Sequence, residues 1–230
     1  MGREVLDRLE LRGDERVLDA GCGTGRVTAA LLDRLPRGEV VAVDGSPAMV
    51  EEARRRLGDT ADVRVADLLE LELDEPVDAI LSTATFHWIN DHDRLFERLL
   101  DALTPGGRLA AQCGGAGNVA ELDRAAKLVG AREPYAAALK GWEGPWNFAS
   151  PAETAERLDR LGWVDVWTWS HHVRVAPDDP REYMGTVALG SHIERLEPEL
   201  RQPFVDAVIA ELAEPVVDYV RLNILARRRS

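Results

Sequence analysis

A glycine turn and three aspartates carry the chemical content of this 230-residue sequence. Val17-Leu18-Asp19-Ala20-Gly21-Cys22-Gly23-Thr24-Gly25 is an apolar run that feeds directly into a G-x-G-x-G turn. Glycine there lets the backbone pass close to a ligand, whose space a side chain would occupy, so a nucleotide-like cofactor is expected at Gly21, Cys22 and Gly23. A dinucleotide-binding turn would place glycine or alanine three residues after Gly23, where Arg26 stands, and a phosphate loop would need a Gly-Lys-Ser/Thr step that is absent. Asp19 lies just before the turn, where a carboxylate repels phosphate and attracts an ammonium group. The positively charged, phosphate-free S-adenosylmethionine is therefore the expected cofactor, with S-adenosylhomocysteine as its product. Asp44, about 20 residues beyond the glycines, can accept hydrogen bonds from ribose hydroxyls, a role it would fill equally for NAD. Asp67 can accept from the exocyclic amine of adenine while Met49 and Leu68 flank the ring.

On the acceptor side, His87 follows the fourth predicted strand beside the expected methyl group, where it could hold or deprotonate an acceptor hydroxyl as the catalytic residue, or else pack beneath the cofactor. Trp142, Trp146 and Phe148 sit in an aromatic loop that either walls an apolar acceptor or forms a satellite core. His171 and His172 are adjacent on a predicted strand and point to opposite faces, which spoils them as a metal site. Cys22 and Cys113 lack CxxC spacing, so no metal and no disulfide framework is suggested. Tyr183, His192 and Arg195 are weaker candidates on late helices.

These side chains need elements to hold them. Apolar runs at residues 16–20, 39–43, 63–67, 77–82 and 108–113 read as strands, and helical spacing at 24–35, from the Ser46-Pro47 cap to Gly58, and at 91–103 reads as the helices between them. Strands alternating with helices imply a parallel sheet, and Asp19, Asp44 and Asp67 then fall at the carboxyl ends of successive strands, the edge at which open α/β sheets bind ligands. Thr104-Pro105-Gly106-Gly107 reads as a break before the fifth strand. Beyond Gly114 come helices at 118–129 and 133–139, a capping box at Ser150 opening a helix that ends at Gly162, a strand at 164–175, helices at 180–189 and 198–212, and a closing strand at 216–226.

The segments VLDAGCGTG, VVAVDGSPAMVEEAR, VRVADLLEL, DAILSTATFHWI and LTPGGRLAAQC resemble the successive motifs of class I S-adenosylmethionine-dependent methyltransferases. FHWI at residues 86–89, with NDHDRLFERLLDALTPGG after it, is similar to the trans-aconitate methyltransferase subgroup. The resemblance implies an α/β fold with a Rossmann-like, doubly wound seven-stranded sheet, mostly parallel with an antiparallel last strand, and a small helical cap. It also implies cofactor roles for Asp19, Gly21, Gly23, Asp44, Ala66 and Asp67, joined by Gly45, and a pocket wall made by Thr83, Phe86, His87 and Trp88. It further implies residues ahead of Gly2 folded over the cofactor, and hence an open pocket here. The expected organisation is a single domain, with residues 1–114 as the cofactor-binding half and about 115–150 and 177–213 as cap and acceptor-pocket elements.

Composition narrows the alternatives. Lys plus Arg (28) against Asp plus Glu (41) gives a formal charge of −13, which repels polyphosphate backbones and makes nucleic acid a poor partner. No apolar run approaches the roughly 18 residues of a membrane span, and the opening residues are too charged for a signal peptide, so a cytoplasmic enzyme with a small-molecule acceptor is expected. O-methylation of a carboxylate or hydroxyl is the expected reaction. A non-catalytic S-adenosylmethionine-binding module and a nicotinamide oxidoreductase are the rivals.

Overall fold

Val17, Leu18, Val40, Val41, Ala42 and Val43 are all buried, with no alternation between inside and outside, as befits parallel strands covered on both faces. The computed structural model describes residues 2–230. Its elements, in chain order, are α1 (Gly2–Asp7), β1 (Arg16–Ala20), α2 (Arg26–Leu32), β2 (Glu39–Asp44), α3 (Pro47–Leu57), β3 (Asp62–Val65), β4 (Val77–Thr83), α4 (His92–Ala102), β5 (Leu103–Gly114), α5 (Ala120–Gly130), α6 (Ala136–Leu139), α7 (Pro151–Arg160), β6 (Trp163–Val175), α8 (Pro180–Tyr183), α9 (Gly190–Glu194), α10 (Pro198–Ala210) and β7 (Val217–Arg228).

The seven strands form one sheet in the order β3-β2-β1-β4-β5-β7-β6, mostly parallel with its last strands antiparallel. β1 pairs in parallel with β2 on one side and β4 on the other. From β1 the chain therefore winds outward to β2 and β3, then returns to β4 and winds the other way. That reversal leaves a crevice beyond the carboxyl ends of β1 and β4, the place where such sheets take ligands. Successive residues of each strand feed opposite layers. Leu18, Val41 and Val43 join a core with Phe96 and Leu99 of α4 and Leu158 of α7, whereas Val17, Val40 and Ala42 join another with Leu31, Val50 and Ala53 of α2 and α3.

The chain divides into two compact units. The first runs up to Gly115 and adds Asn147–Ser170 and Leu222–Ser230; the second comprises Ala116–Trp146 and His171–Arg221. In the second, α5 and α10 bury Leu122, Ala125, Val129, Val205 and Val208, and Tyr135 meets the Phe204 ring edge-on at 5.2 Å. No helix among the described residues is long and apolar enough to cross a membrane.

Several boundaries differ from expectation. Residues 2–7, given no element above, form a helix whose Val5 and Leu6, with the following Leu9, are buried in the second of the two cores. Thr104–Gly107 is not a break but an excursion within β5: the register passes from Val77↔Leu103 to Ala79↔Arg108, two steps on β4 against five on β5. β3 stops at Val65, and Asp67 caps a short 3-10 turn, accepting from Leu69 N–H. α5 starts two residues later than expected because Val119 adopts φ 50, while Asn118 turns its side-chain oxygen to Val220 N–H. Residues 184–188 form a π-turn rather than α-helix.

Candidate functional site

The G-x-G-x-G turn continues β1 without a gap. Gly21 and Cys22 both donate their N–H to Val43 O, at 2.8 and 2.9 Å, which ties the turn to the end of β2. Gly21 stands at φ 85 and Gly23 at φ 53, the left-handed region that glycine occupies at no steric cost. The two are needed for different reasons. A Cβ on Gly21 would lie 2.1 Å from Thr85 Oγ1, so the exclusion there comes from a neighbouring side chain; a Cβ on Gly23 would meet no protein atom within 4 Å, so space is kept open above it.

Asp44, at the end of β2, organises the adjoining backbone. Its Oδ2 accepts from Gly23 N–H and its Oδ1 from Ser46 N–H, both at 2.9 Å. The carboxylate thus sets the turn and the start of α3 together, where Ser46 caps Met49 N–H and Pro47 occupies the first position. Ala66 N–H bonds to Asp44 O at 3.1 Å, aligning the start of the segment that carries Asp67.

These elements enclose a cavity of about 720 Å³ at the β1/β4 crevice. Of the predicted cofactor residues, Gly21, Cys22, Gly23, Asp44, Gly45, Met49, Ala66, Asp67, Leu68 and Thr83 line it. Met49 is 43% exposed and Trp88 49%, so the wall presents large apolar side chains to an open space, a surface suited to an adenine ring. Sequence reasoning missed Ser46, Ala84, Thr85 and Ile89, which also line it. Thr85 carries a signal only in three dimensions, through the hydrogen bonds of its hydroxyl to Gly21 O and Thr83 O.

Asp19 is not on the wall. It is fully buried at the end of β1, with Oδ2 accepting from Thr28 Oγ1 at 2.6 Å and Oδ1 without a partner. Burial pushes its pKa up to about 6, the Thr28 hydrogen bond opposes the rise and the charge of Asp44 adds to it. A desolvated, half-satisfied carboxylate at the crevice attracts a cation, which is the property a sulfonium and ammonium ligand would use. Cys22, by contrast, is chemically quiet: burial, with the charges of Asp19 and Asp44, pushes its thiol up to about 12.

Phe86, His87 and Trp88 form one 3-10 turn, in which successive side chains point about 120° apart. Only Trp88 of the three lines the cavity. Phe86 is 1% exposed and meets the Phe96 ring edge-on at 5.6 Å in the core. His87 is buried, lies against the Phe148 ring at 5.8 Å, and accepts Gly114 N–H on Nδ1 at 3.2 Å. Trp142 and Trp146 belong to the second unit, where their rings lie 4.8 and 5.8 Å from that of His192. His192 is buried among them, and burial pushes its pKa down to about 4. The Arg195 guanidinium lies 4.8 Å over the Trp142 ring.

Residues 17–107 match the family described as "Methyltransferase domain". A trans-aconitate 2-methyltransferase of Methylobacterium radiotolerans is 35% identical over 210 residues, covering 89% of this chain and 80% of that protein. One from Mycobacterium tuberculosis is 33% identical over 213 residues, covering 90% and 79%. The crystal structure of the YcgJ protein of Bacillus subtilis superposes with a TM-score of 0.69 at 18% identity, covering 100% of this chain and 98% of that one, a likeness of fold. These relatives set aside the nicotinamide alternative, and the chain belongs to the class I S-adenosylmethionine-dependent methyltransferases, the family that includes the trans-aconitate 2-methyltransferases.

Proposed function

We propose that the enzyme transfers the methyl group to a carboxylate of a small organic acid. One observation carries this choice among acceptors, the hydrogen bond from Gly114 N–H to His87 Nδ1. A neutral imidazole that accepts on Nδ1 holds its proton on Nε2. His87 is then a donor, suited to a carboxylate oxygen, and its basic lone pair is already engaged. The ionisable groups on the cavity wall agree: the Cys22 thiol is pushed up to about 12, Asp44 is held by two backbone N–H groups and Asp67 by one. An alcohol or amine acceptor benefits from a general base, whereas a carboxylic acid with a pKa of about 4 arrives ionised and needs none. The relatives named for trans-aconitate, an organic acid, support the same choice.

When bound, S-adenosylmethionine supplies an electrophilic methyl carbon for in-line displacement. The protein's part is alignment and exclusion of water, the source of most of the acceleration in such a reaction. We assign Trp88 and Ile89 to the wall that confines the cofactor and His87 to hydrogen bonding with the acceptor. The test is a panel of di- and tricarboxylates, phenols and amines incubated with methyl-labelled cofactor. Label is expected in the acids as alkali-labile methyl ester; label confined to phenols or amines overturns the proposal. His87→Asn, whose Oδ1 can still accept Gly114 N–H, should raise the KM for the acid several-fold with little change in kcat. Loss of kcat together with loss of the acidic limb of the pH profile would instead mark His87 as a base.

A further inference from the structure

The loop after β4 is held in shape from a distant part of the chain. After Thr83 the backbone passes through Ala84 at φ 58, makes the single 3-10 turn, and runs on to the Asp91 cap of α4. Residues 86–90 therefore have little regular structure to satisfy their carbonyl groups, and each such group needs a partner or water. Phe86 O is met locally, by Ile89 N–H at 3.1 Å and by the His92 ring at 2.9 Å. Three others are met by one residue. Asn147 donates its backbone N–H to His87 O at 2.9 Å, and its side-chain nitrogen to Asn90 O at 2.9 Å and Ile89 O at 3.4 Å.

We propose that Asn147 is a positioning residue for cofactor binding and methyl transfer, fixing the backbone that presents Trp88 and Ile89 to the cavity. Both side chains line the cavity, and Trp88 is half exposed, so the backbone of this loop sets where they stand on its wall. The chemistry selects asparagine. Two carbonyl oxygens facing one side-chain terminus call for an NH2 group, which donates twice; a carboxylate of the same shape would set acceptor against acceptor. The inference goes beyond the choice of acceptor and stands on the cavity as the cofactor's site, so it can be tested without turnover.

The experiment measures S-adenosylhomocysteine affinity by calorimetry for wild type, Asn147→Ala and Asn147→Asp between pH 5 and pH 8, with circular dichroism to check that each variant is folded. Asn147→Ala keeps the backbone bond to His87 and loses the side-chain pair, so a weakening of about tenfold relative to wild type is expected, the same at every pH. Asn147→Asp should be weaker still at pH 8 and recover towards wild type as the pH falls, because a protonated carboxyl can again donate to a carbonyl. A merely structural role would lower the melting temperature of both without that pH-dependent ratio. Should Asn147→Asp fail to fold, Asn147→Ala decides alone. Affinity within twofold of wild type in Asn147→Ala, or a ratio for Asn147→Asp that does not change with pH, overturns the proposal. Neither result bears on whether the acceptor is a carboxylate.

Discussion

Replacing Asp19 with asparagine should make the protein more stable and a poorer binder. Asp19 is fully buried with one oxygen unpartnered, and burial, against the Thr28 hydrogen bond and with the help of Asp44, raises its pKa from 3.8 to about 6. A rise of about two units corresponds to about 3 kcal/mol of penalty on the ionised form. The raised value fixes the sign. The group favours the folded state fully below pH 3.8, that contribution is lost as the pH rises through about 6, and above that the whole penalty is present. Asparagine keeps the shape and an oxygen for Thr28 but buries an unpartnered amide, which costs about 1–2 kcal/mol. The net expectation is a gain of about 1–2 kcal/mol at pH 8 that is absent at pH 4. The cofactor sees the opposite effect. If a bound cation returns Asp19 to its ordinary pKa, linkage makes the ionised carboxylate worth up to about 100-fold in affinity. Wild-type affinity for S-adenosylmethionine should then fall by up to tenfold per unit below about pH 6, while Asp19→Asn is weak and flat. Denaturant titrations at pH 4 and 8, with calorimetry across pH 5–8, measure both. An Asp19→Asn protein that is less stable at pH 8 and binds the cofactor as wild type does would refute the reasoning.

Other outcomes follow from neighbouring residues. Gly21→Ala should abolish cofactor binding because its Cβ would lie 2.1 Å from Thr85 Oγ1, and Gly21→Ala/Thr85→Gly should recover part of it, leaving the strain of φ 85, about 1–2 kcal/mol; calorimetry on the pair separates the two causes. Asp44→Ala should weaken S-adenosylhomocysteine by about 1.5–3 kcal/mol through loss of charge-assisted hydrogen bonds, and equal affinity would remove the assignment. Glu15 is held at a pKa of about 2, burial being outweighed by the N–H groups of Arg12 and Gly13 and by Arg108, so Glu15→Gln should cost about 3 kcal/mol at pH 7. That difference, read by chemical denaturation, should be full above pH 4.5 and vanish as the pH falls through about 2.

The strands nearest the site could be read from sequence because burial on both faces demands unbroken apolar runs, as in Val17–Leu18 and Val40–Val43. Asp19 and Asp44 could be read because strand ends follow from those runs, whereas Asp67, expected to close β3, lies two residues beyond its end at Val65. What stayed hidden depends on partners remote in the chain. Thr104–Gly107 has the composition of a turn, and only pairing with β4 makes it an excursion within a strand. At Gly21 the group that excludes a Cβ is Thr85, 64 positions away, which no local pattern reveals. Asn147 offered no local pattern at all, its acceptors lying 57 and 58 positions away. The helix at residues 2–7 did carry a signal, apolar residues at 5, 6 and 9, masked by the charge around them.

The segment Phe86-His87-Trp88 shows why a motif match overstates what each of its residues does. With about three residues per turn, neighbouring side chains diverge by a third of a circle, so one tripeptide must face three surroundings. Here they are the core at Phe96, the backbone of Gly114 beside Phe148, and the cavity at the β1/β4 crevice. Their substitutions should separate accordingly. Phe86→Ala removes a fully buried aromatic and should cost about 3–5 kcal/mol of stability. Trp88→Ala, half exposed, should leave stability nearly intact while loosening the cofactor. His87 lies between these cases, because its ring touches the end of β5 through Gly114 N–H while its carbonyl is held by Asn147 N–H. A change at His87 therefore acts on loop shape and on acceptor binding together, and His87→Asn, which can preserve the Gly114 bond, is the substitution that divides the two.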